Sequence, residues 1–173
     1  LVKDRDYLLS INLNGPFWQL REWCGFEGLC TLMVDDPDLV QEMCEFWTEF
    51  VSATRRTILE RVQLDYVGLS EDMAYKAGPM LSPSMAREFL APTYKMLTAF
   101  LKKKGVKVVL VDSDGNVEPL IPVWLESGID GFSPCEIASG LDPIVLRRRY
   151  PRLVMMGALD KRELAKDKAA VEK

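Results

Sequence analysis

The chain has 173 residues, 48% hydrophobic and 28% charged, with a formal net charge of −4 and a pI near 5.0, the balance of a single globular domain. No apolar run approaches the ~18–20 residues that cross a bilayer as a helix, and the acidic balance argues against nucleic acid as a partner. The absence of histidine excludes a Ser-His-Asp triad, an HExxH zinc site and a histidine general base within this chain, leaving acid–base work to Asp, Glu, Lys, Tyr or Cys.

In chain order, Tyr7–Leu13 alternates roughly between apolar and polar residues and reads as a strand, broken by Asn14-Gly15-Pro16. Phe17–Trp23 reads as a short helical turn. Asp35-Asp36-Pro37 has the form of a helix start, an Asp cap before a first-turn Pro. That helix is expected from about Asp38 to Val62, with Leu39, Met43, Phe46, Phe50, Ala53 and Ile58 as its apolar face. Leu64–Leu69 is the second strand, ending in Ser70-Glu71-Asp72. Ser82-Pro83 opens a helix that runs to Lys104 and stops at Gly105, and Pro92 is expected to kink or split it. Val106–Val111, rich in β-branched residues, is the third strand and ends in Asp112-Ser113-Asp114-Gly115-Asn116. A helix follows through Pro122 and Trp124 to Ser127, closed by Gly128. Ile129–Phe132 is the fourth strand, before Ser133-Pro134-Cys135-Glu136. Asp142-Pro143 starts a helix through Arg149, Leu153–Met156 is the fifth strand, and the last helix begins at Lys161.

Short apolar strands alternating with helices mean an α/β fold with a parallel sheet. No Gly-rich phosphate loop follows the first strand, as a doubly wound nucleotide fold would need. Polar residues instead recur after every strand: Asn12 and Asn14, then Glu71 and Asp72, then Asp112, Asp114 and Asn116, then Glu136, then Asp160. In a (β/α)8 TIM barrel all of these meet at the C-terminal mouth, whereas an open sheet splits them across a crevice. Five β/α units are too few to close a barrel of typically ~250 residues, so a partial barrel is expected. The chain begins at Leu1 without a Met, signal or transit segment and ends in a charged tract, Lys161–Lys173, expected to be helical. The expectation is a piece of a longer cytoplasmic protein. Its two raw sheet edges argue against a stable monomer of this piece alone; a homodimer is a separate expectation.

Acids before helices also serve as caps, and Ser82 and Asp142 are read so; Asp160 is read as a cap before a catalyst. Glu71 with Asp72 and Asp112 with Asp114 stand at strand ends, several residues before the next helix, which marks them as candidate site residues. Cys24, Cys30, Cys44 and Cys135 form no CxxC pair and are read as buried free thiols of a reducing compartment. The basic runs Lys102–Lys104 and Arg147–Arg149 fall in last helical turns, where they complement the helix dipole.

Glu71-Asp72-Met73-Ala74-Tyr75-Lys76-Ala77-Gly78, Leu81-Ser82-Pro83, Val111–Asn116 and Gly157-Ala158-Leu159-Asp160 resemble the uroporphyrinogen decarboxylase family. The same superfamily holds corrinoid-dependent methyltransferases, including those acting on coenzyme M. The resemblance runs from the Asn-Gly-Pro loop to Asp160 and implies a (β/α)8 barrel of which this chain holds roughly the third to seventh strands. The essential Asp, the substrate-gripping Arg residues and the His implied by the family belong to strands outside this stretch. Where the family's zinc methyltransferases carry His-x-Cys-Gly-Asn, this chain reads Asp112-Ser113-Asp114-Gly115-Asn116. A carboxylate pair suits Mg²⁺, Mn²⁺ or Ca²⁺ better than zinc, so a zinc thiolate site is not expected; a hard divalent ion would fall to Asp112, Asp114 and Glu136. Ala77-Gly78 matches the decarboxylases' small-residue turn, with Tyr75-Lys76 in place of a Ser and an aromatic.

The resemblance implies cofactor-free decarboxylation of a porphyrinogen or related carboxylated small molecule; by their strand-end positions, Asp72, Asp112 and Asp114 are the catalytic candidates. Asn14, Glu71, Tyr75, Lys76, Asn116, Glu136 and Asp160 would face the substrate. A mouth lined by six acids repels a polycarboxylate by several kcal/mol unless cations such as Lys76, Lys161 and Arg162 intervene. The alternatives are group transfer with a corrinoid protein as partner, and a barrel that only binds a small molecule. Nucleic acid and membrane are not expected as partners.

Overall fold

The computed structural model describes residues 5–168. β1 (Ser10–Asn14) leads into α1 (Pro16–Cys24), α2 (Phe26–Asp35) and α3 (Pro37–Arg61). β2 (Tyr66–Ser70) is followed by a small antiparallel hairpin of β3 (Ala74–Tyr75) and β4 (Gly78–Pro79). Then come α4 (Pro83–Met85), a π-turn at Ala86–Leu90 and α5 (Ala91–Lys103). β5 (Val108–Asp112) connects through α6 (Ile121–Glu126) to β6 (Gly131–Cys135), and α7 (Pro143–Arg149) connects to β7 (Val154–Gly157) and α8 (Lys161–Leu164).

The five long strands form one parallel sheet in the order β1-β2-β5-β6-β7. Each lies beside the next long strand in the chain, so every crossover steps in the same direction. A doubly wound sheet reverses that direction at a switch point, and a barrel does not. The architecture is therefore α/β, a partial TIM barrel.

Alternation along each strand separates two faces. Leu13, Val67, Leu69, Val109, Val111 and Phe132 point to the helices and join one continuous core with Phe17, Leu20, Trp47, Leu97, Leu101 and Trp124. The other face carries Ser10, Asn12 and Asn14 on β1, Gly68 and Ser70 on β2, Leu110 and Asp112 on β5, and Gly131 and Ser133 on β6, paired laterally by the strand register. Leu110 is buried yet lies outside the helix-side core, as an inward barrel position requires.

Several local expectations are corrected. Residues 26–35, unassigned from sequence, form α2, and the β3–β4 hairpin adds a flap after β2. The first strand begins at Ser10 rather than Tyr7. In α3 the buried stripe is Val40, Cys44, Trp47, Thr48, Val51 and Leu59, while Leu39, Phe46, Phe50 and Ile58 are exposed. The helix has two apolar stripes about 100° apart, and periodicity alone does not say which covers the sheet. Cys24 and Cys30 are half-buried rather than buried; all four cysteines are free. The helix in the terminal tract covers Lys161–Leu164, and residues 169–173 lie outside the described ones.

Other readings hold. Asp36 caps α3, its Oδ1 accepting from the Leu39 N–H at 3.2 Å. The break expected near Pro92 is the π-turn, where the Ala91 N–H reaches back five residues to the Ala86 carbonyl. Pro92 lacks an N–H and would crowd the carbonyl four residues earlier, and the wider turn relieves both problems. Among the described residues no helix is long and apolar enough to cross a membrane.

β6 and β7 meet closely: a Cβ placed on Gly131 would fall 1.8 Å from the Val154 carbonyl oxygen. Backbone cannot yield there as a side chain could. Gly131→Ala is expected to lower unfolding stability by about 1–3 kcal/mol, read as a reduced urea midpoint at unchanged slope; an unchanged midpoint would contradict this packing.

Candidate active site

The strand register assembles the site. Asn14 pairs laterally with Ser70, Ser70 with Asp112, and Asp112 with Ser133, so one polar row crosses four strands at their C-terminal ends. At ~4.8 Å per strand the row is roughly 14 Å wide. The loops beyond it stay stitched to neighbouring strands. Gly15 N–H donates to Ser70 O at 2.7 Å, Glu71 and Asp72 N–H donate to Asp112 O at 2.8 and 3.1 Å, and Ser113 N–H donates to Ser133 O at 2.9 Å.

Asp112 is exposed in this row. Partial burial raises its carboxyl pKa, Asp114 and Asp72 raise it further, and a hydrogen bond with Ser70 opposes them. Asp72 is exposed with φ at 40°, the left-handed region that Asp tolerates better than most residues but that still carries strain. Arg21 holds that turn: its Nη1 donates to the Asp72 carbonyl at 2.9 Å, and its guanidinium lies 4.7 Å from the Trp18 ring centroid and 5.2 Å from that of Phe17. Asp114 is exposed, with Lys161 Nζ at 3.9 Å. The turn after it requires Gly115 (φ 86°), because a Cβ there would lie 2.6 Å from the Ala74 carbonyl oxygen of the hairpin.

Of the six expected mouth acids Glu71 is corrected, while Glu136 and Asp160 follow β6 and β7 as expected but are engaged by partners, Asp160 as the cap read from sequence. Glu71 has no exposed surface. It points inward, accepting from the Trp18 N–H at 2.8 Å and from the Tyr94 hydroxyl. Its carboxyl occupies the space a side chain on Gly15 would fill, within 2.1 Å of a Cβ built there. Glu136 accepts from the Gly115 N–H at 3.0 Å and the Ser139 hydroxyl at 2.7 Å and pairs with Lys161 at 3.2 Å. The Ser139 bond, then the Gly115 N–H, then Lys161 hold its pKa low. Asp160 caps α8 and grips the Arg162 guanidinium, which pulls its carboxyl down to about 2. Asp112, Asp114 and Glu136 are not gathered as a metal-ligand set: among the described residues no group of three or more acids or thiols is placed to hold an ion.

The remaining sequence candidates frame the row. Asn14 Nδ2 donates to Gln19 Oε1 at 3.1 Å, and Tyr75 and Lys76 are exposed on the hairpin. Asn116 is half-buried and turned to its own backbone, its Oδ1 accepting from the Glu118 N–H at 3.2 Å. Sequence reasoning missed Arg21, Tyr94 and Gly15; the Gly-Pro break just ahead of a helix was the one signal of a close approach there. A concavity of about 890 Å³ opens at the opposite end of the sheet, beside Lys102, Asp130, Arg149 and Leu153. Lys102 and Arg149 are already paired there with Asp130 and Glu118, and that end of a barrel serves stability rather than chemistry.

Burial pushes the Glu71 carboxyl up to about 8, outweighing the Tyr94 and Trp18 hydrogen bonds, the charge of Arg21 and the Phe17 N–H, which pull it down. An unfolded Glu titrates near ~4.3. The native state therefore keeps a proton that the unfolded chain has lost, and the stabilisation, complete below the unfolded value, is lost as pH rises towards the folded one. Urea unfolding between pH 5 and 8 is expected to show stability falling by an amount of order 4 kcal/mol, with Glu71→Gln flattening the fall. A flat wild-type profile would remove the buried proton.

The family model for uroporphyrinogen decarboxylase (URO-D) matches residues 8–173. No curated protein matches the chain. Among solved structures, a methyltransferase from Methanosarcina mazei superposes with a TM-score of 0.62 at 18% identity, over 78% of this chain and 37% of that one. The homocysteine methyltransferase of Escherichia coli in its apo form superposes with a TM-score of 0.40 at 15% identity, over 90% of this chain and 60% of that one. The first likeness is one of fold, and the chain spans little more than a third of that methyltransferase's length. With the family match running from β1 through α8 over a sheet of the barrel type, the chain belongs to the uroporphyrinogen decarboxylase family.

Proposed function

We propose that the chain forms part of the mouth of a cofactor-free carboxy-lyase acting on a porphyrinogen or a related carboxylated pyrrole, with Asp112 as the proton-transferring group. The observation that carries this reading is the meeting of Asp72, Asp112 and Asp114 at the strand ends, with the Asp112 carboxyl raised by burial and by the two neighbouring acids. A row roughly 14 Å wide also has the scale of a tetrapyrrole macrocycle.

The chemistry asks for a proton donor beside negative charge. An electron-rich pyrrole accepts a proton at ring carbon from Asp112, leaving a cation that Asp72 and Asp114 stabilise. The bond to the carboxylate carbon then breaks, CO₂ departs, and its electron pair neutralises the cation. A second proton reaches the exposed methylene carbon, and the ring proton returns to the carboxylate, so the cycle consumes one proton for each CO₂ released. Repulsion of a polycarboxylate is milder than the count of mouth acids suggests. Glu71 is buried, Glu136 is paired with Lys161 and Asp160 with Arg162.

A second reading, transfer of a methyl group between a substrate and a corrinoid protein, is supported by the fold likeness to the Methanosarcina mazei methyltransferase. In that reading the three acids orient a substrate rich in donors.

The two readings separate in an assay of CO₂ release from uroporphyrinogen by the full-length protein. Asp112→Asn is expected to lower turnover 10²–10⁴-fold. Activity that needs a protonated Asp112 is present below its pKa and lost as pH rises through it. Asp72→Asn and Asp114→Asn each remove a charge that raises that pKa, so each is expected to move the alkaline limb of the pH–rate profile to lower pH. Full turnover by Asp112→Asn would overturn its role, and methyl transfer to a corrinoid partner without CO₂ release would favour the second reading.

A further inference from the structure

The loop that carries Asp72 is stitched along one side to the turn after β5. Glu71 and Asp72 N–H bond the Asp112 carbonyl, Met73 N–H donates to Ser113 Oγ at 3.0 Å, and Asn116 N–H donates to the Tyr75 carbonyl at 2.8 Å. Met80 N–H closes the loop on the Met73 carbonyl at 2.9 Å. None of these bonds takes the Asp72 carbonyl. With φ at 40° that carbonyl faces α1 instead, where it accepts from Arg21 Nη1 at 2.9 Å. A non-glycine residue left to itself leaves the left-handed region, and that rotation would carry the carbonyl away from Arg21.

Arg21 is held in advance for this contact. It is half-buried in the last turn of α1, against the rings of Trp18 and Phe17, and the same Nη1 lies 3.5 Å from Met80 Sδ. Among the described residues it forms no salt bridge, so its charge-assisted bond goes to backbone rather than to a carboxylate. The start of its helix is fixed from beneath by Glu71, which accepts the Trp18 N–H. Asp72 is thus gripped between the turn after β5 on one side and a pinned guanidinium on the other.

We propose that Arg21 is a positioning residue of the mouth: by holding the Asp72 carbonyl it keeps that residue in its left-handed turn and its carboxylate beside Asp112. The catalytic consequence rests on the proton-transferring role proposed above for Asp112.

Two routes lead from Arg21 to Asp112, and they have opposite signs. The Asp112 carboxyl is raised by burial, then by Asp114 and Asp72, and is lowered by the bond with Ser70. Removing a nearby cation would raise it further, whereas releasing Asp72 from its place lowers it.

Carbon-13 NMR titration of the aspartate carboxyls in the full-length protein reads that sign without turnover, with Asp112→Asn assigning the signal. Arg21→Gln is expected to lower the Asp112 pKa, in the direction of Asp72→Asn, and to lower it no further when added to Asp72→Asn. Arg21→Lys keeps the charge but not the planar fork and is expected to act in the same direction, a milder variant should Arg21→Gln fail to fold. The alkaline limb of CO₂ release should move to lower pH with the carboxyl, with a roughly tenfold loss of turnover. An Asp112 pKa that rises or stays fixed in the folded Arg21 variants, or that falls further in the double variant, would overturn the positioning role. The expected NMR response in a protein that releases no CO₂ would support the positioning of Asp72 and overturn the function proposed for the mouth.

Discussion

A carboxyl group without exposed surface holds the mouth in place from beneath. Glu71 leaves the end of β2, turns inward, takes N–H groups at the start of α1 and meets the Tyr94 hydroxyl of α5. Three elements distant in sequence are joined at one group. An isolated carboxylate in such a place carries a heavy desolvation penalty, relieved by keeping the proton and by hydrogen bonding. The same constraint fixes Gly15, whose missing side chain makes room for the carboxyl. With α1 held there, Arg21 is positioned to grip the Asp72 turn. The strain at Asp72 is supported by this framework rather than by its own sequence.

Above that layer the electrostatics are simpler than the number of acids suggests. Glu71 has been withdrawn inside, Glu136 is held by two donors and Lys161, and Asp160 is spent on a helix cap and Arg162. Asp72, Asp112 and Asp114 remain at the surface of the mouth. The negative charge is concentrated at the ends of two neighbouring strands, β2 and β5, where it raises Asp112, instead of being spread around a rim. Lys161 bridges Glu136 and Asp114, so the start of α8 takes part in setting that charge.

The order of elements was legible because helix starts with Asp or Ser before Pro and short β-branched strands are local signals, and the register then follows from sequential parallel pairing. The meeting of acids at the strand ends was legible for the same reason: strand ends in a barrel share one mouth. Direction was not legible. An acid one or two residues past a strand looks the same in sequence whether it lines the mouth, like Asp72, or turns beneath it, like Glu71. Only the distant partners Tyr94 and Gly15 decide. In α3 two apolar stripes satisfy the same period, and the choice between Val40–Cys44–Trp47–Val51 and Leu39–Phe46–Phe50 is made by the sheet. The hairpin after β2 is too short to leave a periodic signature, yet it seats against Gly115 and borders the Asp112–Asn116 turn.

The most direct test of the mouth assignment is a crystal structure of the full-length protein with uroporphyrin, the oxidised and unreactive relative of the proposed substrate. The ring is expected over the row of Asn14, Ser70, Asp112 and Ser133, with the carbons of one pyrrole within proton-transfer reach of Asp112. A ring seated in the concavity beside Arg149 and Leu153, or one at the mouth that leaves Asp112 untouched, would contradict the assignment.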